Sequence, residues 1–226
     1  KKFYKSYFLQ STKQIPFIDV KLAISKDNLT VNKKDKWITN NISRKVGNFL
    51  RSKYDCILST SKTINKDNSL LDCRIEGLEQ KSPAVIIVDR LFKIKKQLKI
   101  FKNKSREIFI FTQTKNQLKE EYFNKIGVNI IKLKRSNNLK NDTSEVYFFL
   151  KKLGFNRVLI ESGIKYINEM LKYNFVKNFY LFKSSLSLKN KGKKNIKSTL
   201  IKKIKGTINN RVNVNLNGDN LYKIQL

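Results

Sequence analysis

The sequence predicts an α/β fold of three layers, αβα, whose central mixed, mostly parallel sheet ends in an antiparallel C-terminal hairpin. Three observations lead there. Apolar runs of strand length alternate with helix-period stretches through most of the 226 residues, a pattern that places helices on both faces of a sheet. Near the C-terminus the alternation stops, and two strand-like runs, 212–216 and 221–226, flank the turn signal Asn217-Gly218-Asp219. No internal repeat breaks the pattern, and the length and 40% hydrophobic content suffice for a sizeable core.

Residues 1–16 are basic and aromatic without periodicity and read as a connecting arm, followed by one domain at 17–226. Residues 17–24 form a strand, with Ile18, Val20 and Leu22 on one face, and Ser25-Lys26-Asp27-Asn28 is a turn. Trp37-Ile38-Thr39 leads into a helix over 42–53, whose apolar stripe is Val46, Phe49 and Leu50. Strands follow at 54–59, 84–89 and 108–112, then a helix at 118–126 stopped by Gly127 and a strand at 128–133. Residues 135–142 are a polar loop before a helix at 143–153, which ends at Gly154. A strand at 157–161, a helix at 164–173 and a strand at 178–182 precede a Lys/Asn-rich loop at 189–198.

Composition excludes whole classes of chemistry. The chain has no His, so it holds no Ser-His-Asp triad, no Cys-His dyad, no His-ligated zinc and no His proton shuttle. Two cysteines, Cys56 and Cys73, cannot build a disulfide framework or a four-cysteine zinc site, and free thiols favour a cytoplasmic protein. No apolar run approaches the roughly 20 residues of a membrane span, and none resembles a secretory signal. The net charge of +32 invites a nucleic-acid reading. Yet 41 Lys stand against only 8 Arg, with 26 Asn and 25 Ile, whereas nucleic-acid readers lean on Arg for bidentate contacts. The charge is read as compositional drift, and nucleic acid is not the expected partner.

Four polar clusters fall at strand ends, where open α/β folds bind ligands. They are Lys21 to Asp27, then Trp37-Ile38-Thr39 with Arg44 and Arg51, then Ile57 to Thr63 with Asp67, Leu71 and Arg74, and last Ile160-Glu161-Ser162-Gly163. Each has a plain structural reading: a turn-forming Asp, a core Trp, a solvated helix Arg, a carboxylate paired with a lysine. No Gly-x-Gly-x-x-Gly and no Walker-type loop is present, so no Rossmann or P-loop site can be argued.

In this order and spacing the clusters resemble the reductase domain of the bifunctional riboflavin-biosynthesis deaminase-reductase family. The family's Lys-x-Ala-x-Ser-x-Asp-Gly appears as Lys21, Ala23, Ser25 and Asp27; its Trp-Ile-Thr as Trp37 to Thr39; its next helical Arg as Arg51. Asp55, Ile57, Leu58, Thr63, Asp67, Leu71 and Arg74 match its central stretch, and Glu161 and Gly163 its Val-Glu-Gly-Gly. The departures are Asn28 for the turn Gly, Asp35 for a Ser, Asn68-Ser69 for Asp-Pro, and Ser162 for the first Gly of the pair. The basic-aromatic arm resembles the family's connector, and a chain opening at Lys1 is expected to be the C-terminal piece of a longer protein with a deaminase domain before it.

The resemblance implies a dihydrofolate-reductase-like fold, a homodimer, and NADPH-dependent reduction of the ribose of 5-amino-6-(5-phosphoribosylamino)uracil to the ribityl product. Arg51, Leu71 and Arg74 would bind the phosphorylated pyrimidine. Ala23, Trp37, Thr39, Thr63, Gly163 and Ile164 would hold the cofactor, whose phosphates would meet the helix start after Gly163. Lys21, Asp67 and Glu161 would be the catalytic group, with Lys21 the proton-managing or imine-stabilising cation near the sugar carbon that receives hydride. Two other readings remain open: a related dihydrofolate- or pterin-type reductase, and a non-catalytic basic module that binds anions or nucleic acid.

Overall fold

Strands and helices alternate along the chain. The strands are β1 (Phe17–Ile24), β2 (Val31–Asn32), β3 (Cys56–Thr60), β4 (Ala84–Val88), β5 (Ile108–Thr112), β6 (Asn129–Lys132), β7 (Arg157–Ile160), β8 (Asn178–Lys183), β9 (Gly192–Lys193) and β10 (Asn220–Gln225). The helices are α1 (Asn41–Arg51), α2 (Ser61–Asp67), α3 (Gln117–Lys125), α4 (Leu139–Lys152) and α5 (Ile164–Lys172). The computed structural model describes residues 15–35, 37–102, 105–193 and 210–226. Most of the expected arm, and the Lys/Asn-rich loop after Lys193, lie outside those residues. The fold class is the expected one: mixed, mostly parallel β-structure with helices on both sides and an antiparallel C-terminal strand.

The residues group into two compact units, one formed by 49–160 with the N-terminal residues to Phe17, the other by 18–48 and 161–226. In the first, β7, β3, β4, β5 and β6 run parallel, neighbour to neighbour. Every residue of β4 and β5 is buried, which explains why both read as unbroken apolar runs rather than alternating ones. Ile57, Val85, Ile87, Ile110 and Leu159 pack there with Phe92 and Phe123. Fully burying one such side chain is worth about 1.5–3 kcal/mol, so this cluster is a principal source of the unit's stability.

In the second unit β1 pairs parallel with β8, opposing Lys21 to Tyr180 and Ala23 to Phe182, and β10 pairs antiparallel with β8. The C-terminal turn is closed by isolated bridges, Arg211 to Tyr222 and Leu216 to Asp219, while the continuous antiparallel ladder of β10 is made with β8. The short β2 and β9 pair with each other.

Three local readings differ from expectation, each for a physical reason. Helix α2 was not legible: seven residues with one apolar core position, Ile64, carry no periodicity. Thr60 caps it instead, accepting the Thr63 N–H. Helix α4 starts four residues early, because Asn138 caps it and the acidic Asp142 faces inward at 3% exposure. There Asp142 meets Arg90 Nε at 2.9 Å and accepts from Gln113 Nε2 at 2.7 Å. On α1 the residues turned inward are Ser43 and Gly47, and Phe49 is exposed under Lys53. Small residues allow the close approach, so that face looked polar in the sequence.

Candidate active site

The second unit carries the larger share of the expected site residues. Alternation along β1 puts Lys21 and Ala23 on one face. Ala23 packs there with Phe182, Leu216, Leu221 and Val46. Lys21 Nζ lies 3.8 Å from Glu161 Oε2 and 5.4 Å above the Phe182 ring. The two charged side chains are only 21% and 10% exposed. Gly47 of α1 faces this amine, and a Cβ there would stand 3.8 Å from Lys21 Cε. An ammonium and a carboxylate so placed, half out of water, form a pair able to hold or pass a proton.

Around that pair the backbone is anchored by carboxylates. Asp27 accepts from Ser25 Oγ at 2.6 Å and from the Leu188 and Lys189 N–H groups at 3.1 and 2.7 Å. Desolvation works against its charge, but these hydrogen bonds outweigh it and hold the carboxyl pKa at about 2. The motif residues Ser25 and Asp27 thus lock the end of β1 onto the chain before β9. Asn28, at φ 63°, takes the left-handed conformation that Asn tolerates better than most side chains.

Trp37 is 43% exposed, with the Arg44 guanidinium 4.8 Å over its ring. Arg44 also donates to the Thr39 carbonyl at 2.7 Å, so one side chain clamps both ends of Trp37-Ile38-Thr39. Asp35 accepts the Trp37 N–H, a local turn contact in place of the family's Ser. Helix α5 opens at Gly163 with no side-chain cap and no acidic residue in its first turn. Ile164 is buried, so only its backbone can face a ligand.

In the first unit the expected residues gather around the segment after α2. Arg51 donates to the Asp72 carbonyl at 3.0 Å, and Arg74 Nε lies 3.1 Å from Asp72 Oδ1. Asp67 is the exposed last residue of α2, and Asn68 turns the chain at φ 43°. The Thr63 and Thr60 hydroxyls share a hydrogen bond at the start of that helix. Leu71 sits at φ 55° with its side chain buried in the core, so any part it plays at a ligand falls to its backbone.

Residues 16–211 match the family described as the RibD C-terminal domain. The chain belongs to that family. Among curated relatives, this RibD C-terminal domain is 29% identical over 196 residues to the riboflavin biosynthesis protein RibD of Buchnera aphidicola subsp. Baizongia pistaciae, which spans 80% of the chain and 51% of that protein. It is 29% identical over 180 residues to RibD of Aquifex aeolicus, covering 79% of the chain and 49% of that protein. The chain therefore spans about half the length of the curated relatives it matches.

Solved structures agree on the fold. Acinetobacter baumannii RibD, form 2, superposes with a TM-score of 0.78 at 16% identity, over 99% of this chain and 61% of that one. The Saccharomyces cerevisiae riboflavin biosynthesis reductase Rib7 gives 0.69 at 19% identity, over 100% and 98%. A Thermotoga maritima protein titled diaminohydroxyphosphoribosylaminopyrimidine deaminase/5-amino-6-(5-phosphoribosylamino)uracil reductase gives 0.74 at 21% identity, over 100% and 60%.

A RibD C-terminal domain implies a nicotinamide cofactor, and residues of this chain suit one. A dinucleotide needs N–H donors for its pyrophosphate, and the nine-residue helix α5 offers an N-terminus uncapped by any side chain, with Lys165 in the first turn. The Trp37 to Thr39 segment supplies an aromatic face and polar backbone held in place by Arg44.

Some contributors were not singled out from the sequence. Gly47 gave no local signal, and Asp219 gave only that of a turn former. Spacing alone assigns Arg44 no role, and no motif marks Arg106, which donates to the carbonyls of Leu70, Leu71 and Pro83. A compositional signal existed. With 41 Lys and only 8 Arg, each Arg is a candidate for a place that uses the fork geometry. Arg44, Arg51, Arg90 and Arg106 each donate to a backbone carbonyl.

Proposed function

We propose that this chain is an NADPH-dependent oxidoreductase that reduces the ribose of 5-amino-6-(5-phosphoribosylamino)uracil to the ribityl product in riboflavin biosynthesis. The observation that carries the reading is the Lys21–Glu161 pair, 3.8 Å apart, on a chain whose residues 16–211 match the RibD C-terminal domain. The names of the Thermotoga maritima and yeast proteins support it, since both are called reductases. A deaminase portion elsewhere in the full-length protein, a homodimeric active form and a cytoplasmic location belong to the same reading.

Bound NADPH would supply the hydride. The tasks left to the protein are orientation, exclusion of water and management of one proton. In this reading Lys21 would be the cation that meets the charge developing on the sugar, and Glu161, 3.8 Å away, would hold that ammonium in place. Asp67 stands at the end of α2, the start of the segment that carries Arg74. Arg51 and Arg74 match the substrate's phosphate, which guanidinium groups bind better than ammonium groups do.

NADPH oxidation measured with and without the phosphoribosyl pyrimidine tests the assignment. Wild-type protein should turn the compound over, and the Asp67→Asn and Glu161→Gln variants should lose turnover by roughly a hundredfold or more while remaining folded. Full activity in both variants would remove the site assignment. Turnover of dihydrofolate but not of the phosphoribosyl compound would make the chain a pterin-type reductase. Salt-sensitive nucleic-acid binding without NADPH binding would make it a basic binding module.

A further inference from the structure

Residues 68–78 connect α2 to the rest of the first unit without helix or strand. A segment of that kind has no ladder to satisfy its carbonyls, and each must find another donor. Three consecutive carbonyls here are taken by guanidinium groups. Arg106 donates to Leu70 O and, through Nη1 at 2.7 Å, to Leu71 O, and Arg51 donates to Asp72 O at 3.0 Å. The same Arg106 Nη1 reaches Pro83 O at 3.3 Å, tying the far end of the connection to its start. Cys73 N–H donates to Ser82 Oγ at 3.0 Å, and Lys99 N–H to Asn68 Oδ1 at 2.9 Å.

The conformation held in this way is an unusual one. Leu71 has a positive φ of 55°, a left-handed conformation that a branched side chain keeps only where its surroundings enforce it. Burial of its side chain in the core and capture of its carbonyl by Arg106 are the enforcing contacts. Desolvation is the main reason the Arg106 pKa falls, to about 10; the nearby Asp72 charge resists the fall and Arg51 adds to it. At neutral pH Arg106 is still a full cation, and its planar fork reaches the carbonyls of Leu70, Leu71 and Pro83 from two nitrogens held in a fixed geometry, whereas a lysine ammonium donates from a single point.

We propose that Arg106 is a positioning residue for the substrate-binding segment of the first unit, fixing the backbone at Leu70 and Leu71 and thereby the placement of Arg74. Its guanidinium acts through the loop rather than on the ligand. The inference rests on the reductase reading for the identity of the ligand but not for the mechanics of the loop.

Two measurements test it. In steady-state kinetics the Arg106→Lys variant should raise KM for the phosphoribosyl pyrimidine by roughly tenfold to a hundredfold, with KM for NADPH within about twofold of wild type. Arg106→Ala should be worse and be partly restored by millimolar methylguanidinium. Unchanged kinetics in Arg106→Lys, or substrate and cofactor KM rising together, would overturn the proposal. Hydrogen exchange on the same proteins gives a second readout that needs no turnover. Faster exchange confined to residues 68–83 supports the positioning role, and unchanged or uniformly raised exchange refutes it. If wild-type protein shows no turnover, the reductase reading fails by itself, and the exchange pattern alone decides on Arg106. If Arg106→Ala does not fold, Arg106→Lys carries both measurements.

Discussion

Asp219 is a buried carboxylate with no arginine or lysine described beside it, and its removal should be among the most damaging single changes in the second unit. Only 3% exposed, it accepts the Asn40 N–H at 2.9 Å, the Ser43 hydroxyl at 2.7 Å and the Ser185 N–H at 3.0 Å. Asn40 reciprocates, its Nδ2 donating to Leu216 O at 2.6 Å while its Oδ1 accepts the Ser43 N–H at the start of α1. One acid thus fastens the C-terminal turn, the end of β8 and the helix that carries Gly47. Asp219→Ala would leave two part-buried backbone donors and the buried Ser43 hydroxyl without their acceptor. The hydroxyl can rotate to another partner. A buried amide left unsatisfied costs about 1–3 kcal/mol, and these two, within partial reach of water, fall at the low end, so the loss should be about 2–3 kcal/mol. Asp219→Asn keeps one acceptor oxygen but turns an amide toward a donor, and should lose about 2 kcal/mol. Urea unfolding followed by circular dichroism, with slopes compared to confirm that the unfolded states match, gives both numbers. An Asp219→Ala protein within about 1 kcal/mol of wild type would refute the reasoning, because it would show that the donors find other acceptors.

Further outcomes follow from the same contacts. Gly47→Ala should stabilise the protein by about 0.5–1 kcal/mol, since glycine is a poor helix former and the new Cβ meets Lys21 at an ordinary van der Waals distance of 3.8 Å. Reductase activity should survive that change, whereas Gly47→Leu should displace the ammonium and lower turnover; urea melts with parallel rate assays separate the two. Acid should weaken the second unit through Asp27 and Asp219. Burial opposes ionisation at both, yet hydrogen bonds hold both pKa values below the ordinary range, Asp27 at about 2. Depressed carboxylates stabilise the folded state above the unfolded pKa, and that stability is lost as pH falls through the folded pKa. Thermal melts between pH 5 and about 2 should therefore show a falling Tm, with a shallower fall in Asp27→Asn.

Much of the architecture was legible because burial is one-dimensional information in a parallel sheet. The strands β4 and β5 are buried at every position, so their sequences are continuous apolar runs, and no longer-range knowledge is needed to see them. The candidate site residues were legible only as a set. Lys21, Trp37, Arg51, Thr63, Arg74 and Glu161 are each ambiguous singly, and their order and spacing carried the likeness to RibD C-terminal domains. Helix α2 and the inward face of α1 were not legible, since cap geometry and small-residue packing leave no hydrophobic period to read.

By itself, then, the sequence determined the alternation of strands and helices, the absence of His-based chemistry and the family resemblance, because hydrophobic period, residue identity and spacing are all local properties. Tertiary structure alone decided which polar groups act together. Lys21 and Glu161 are 140 residues apart in the chain and 3.8 Å apart in space, and Asn40 reaches Asp219 across 179 positions. A carboxylate's partner is set by where strands end and which face a helix turns inward, and that depends on the packing of the whole core. The 41 lysines illustrate the difference: the sequence could count them, but only the fold shows that Lys21 is largely withdrawn from water beside Glu161 and the Phe182 ring, whereas Lys132 makes the same kinds of contact with Glu120 and Phe92 nearer the surface.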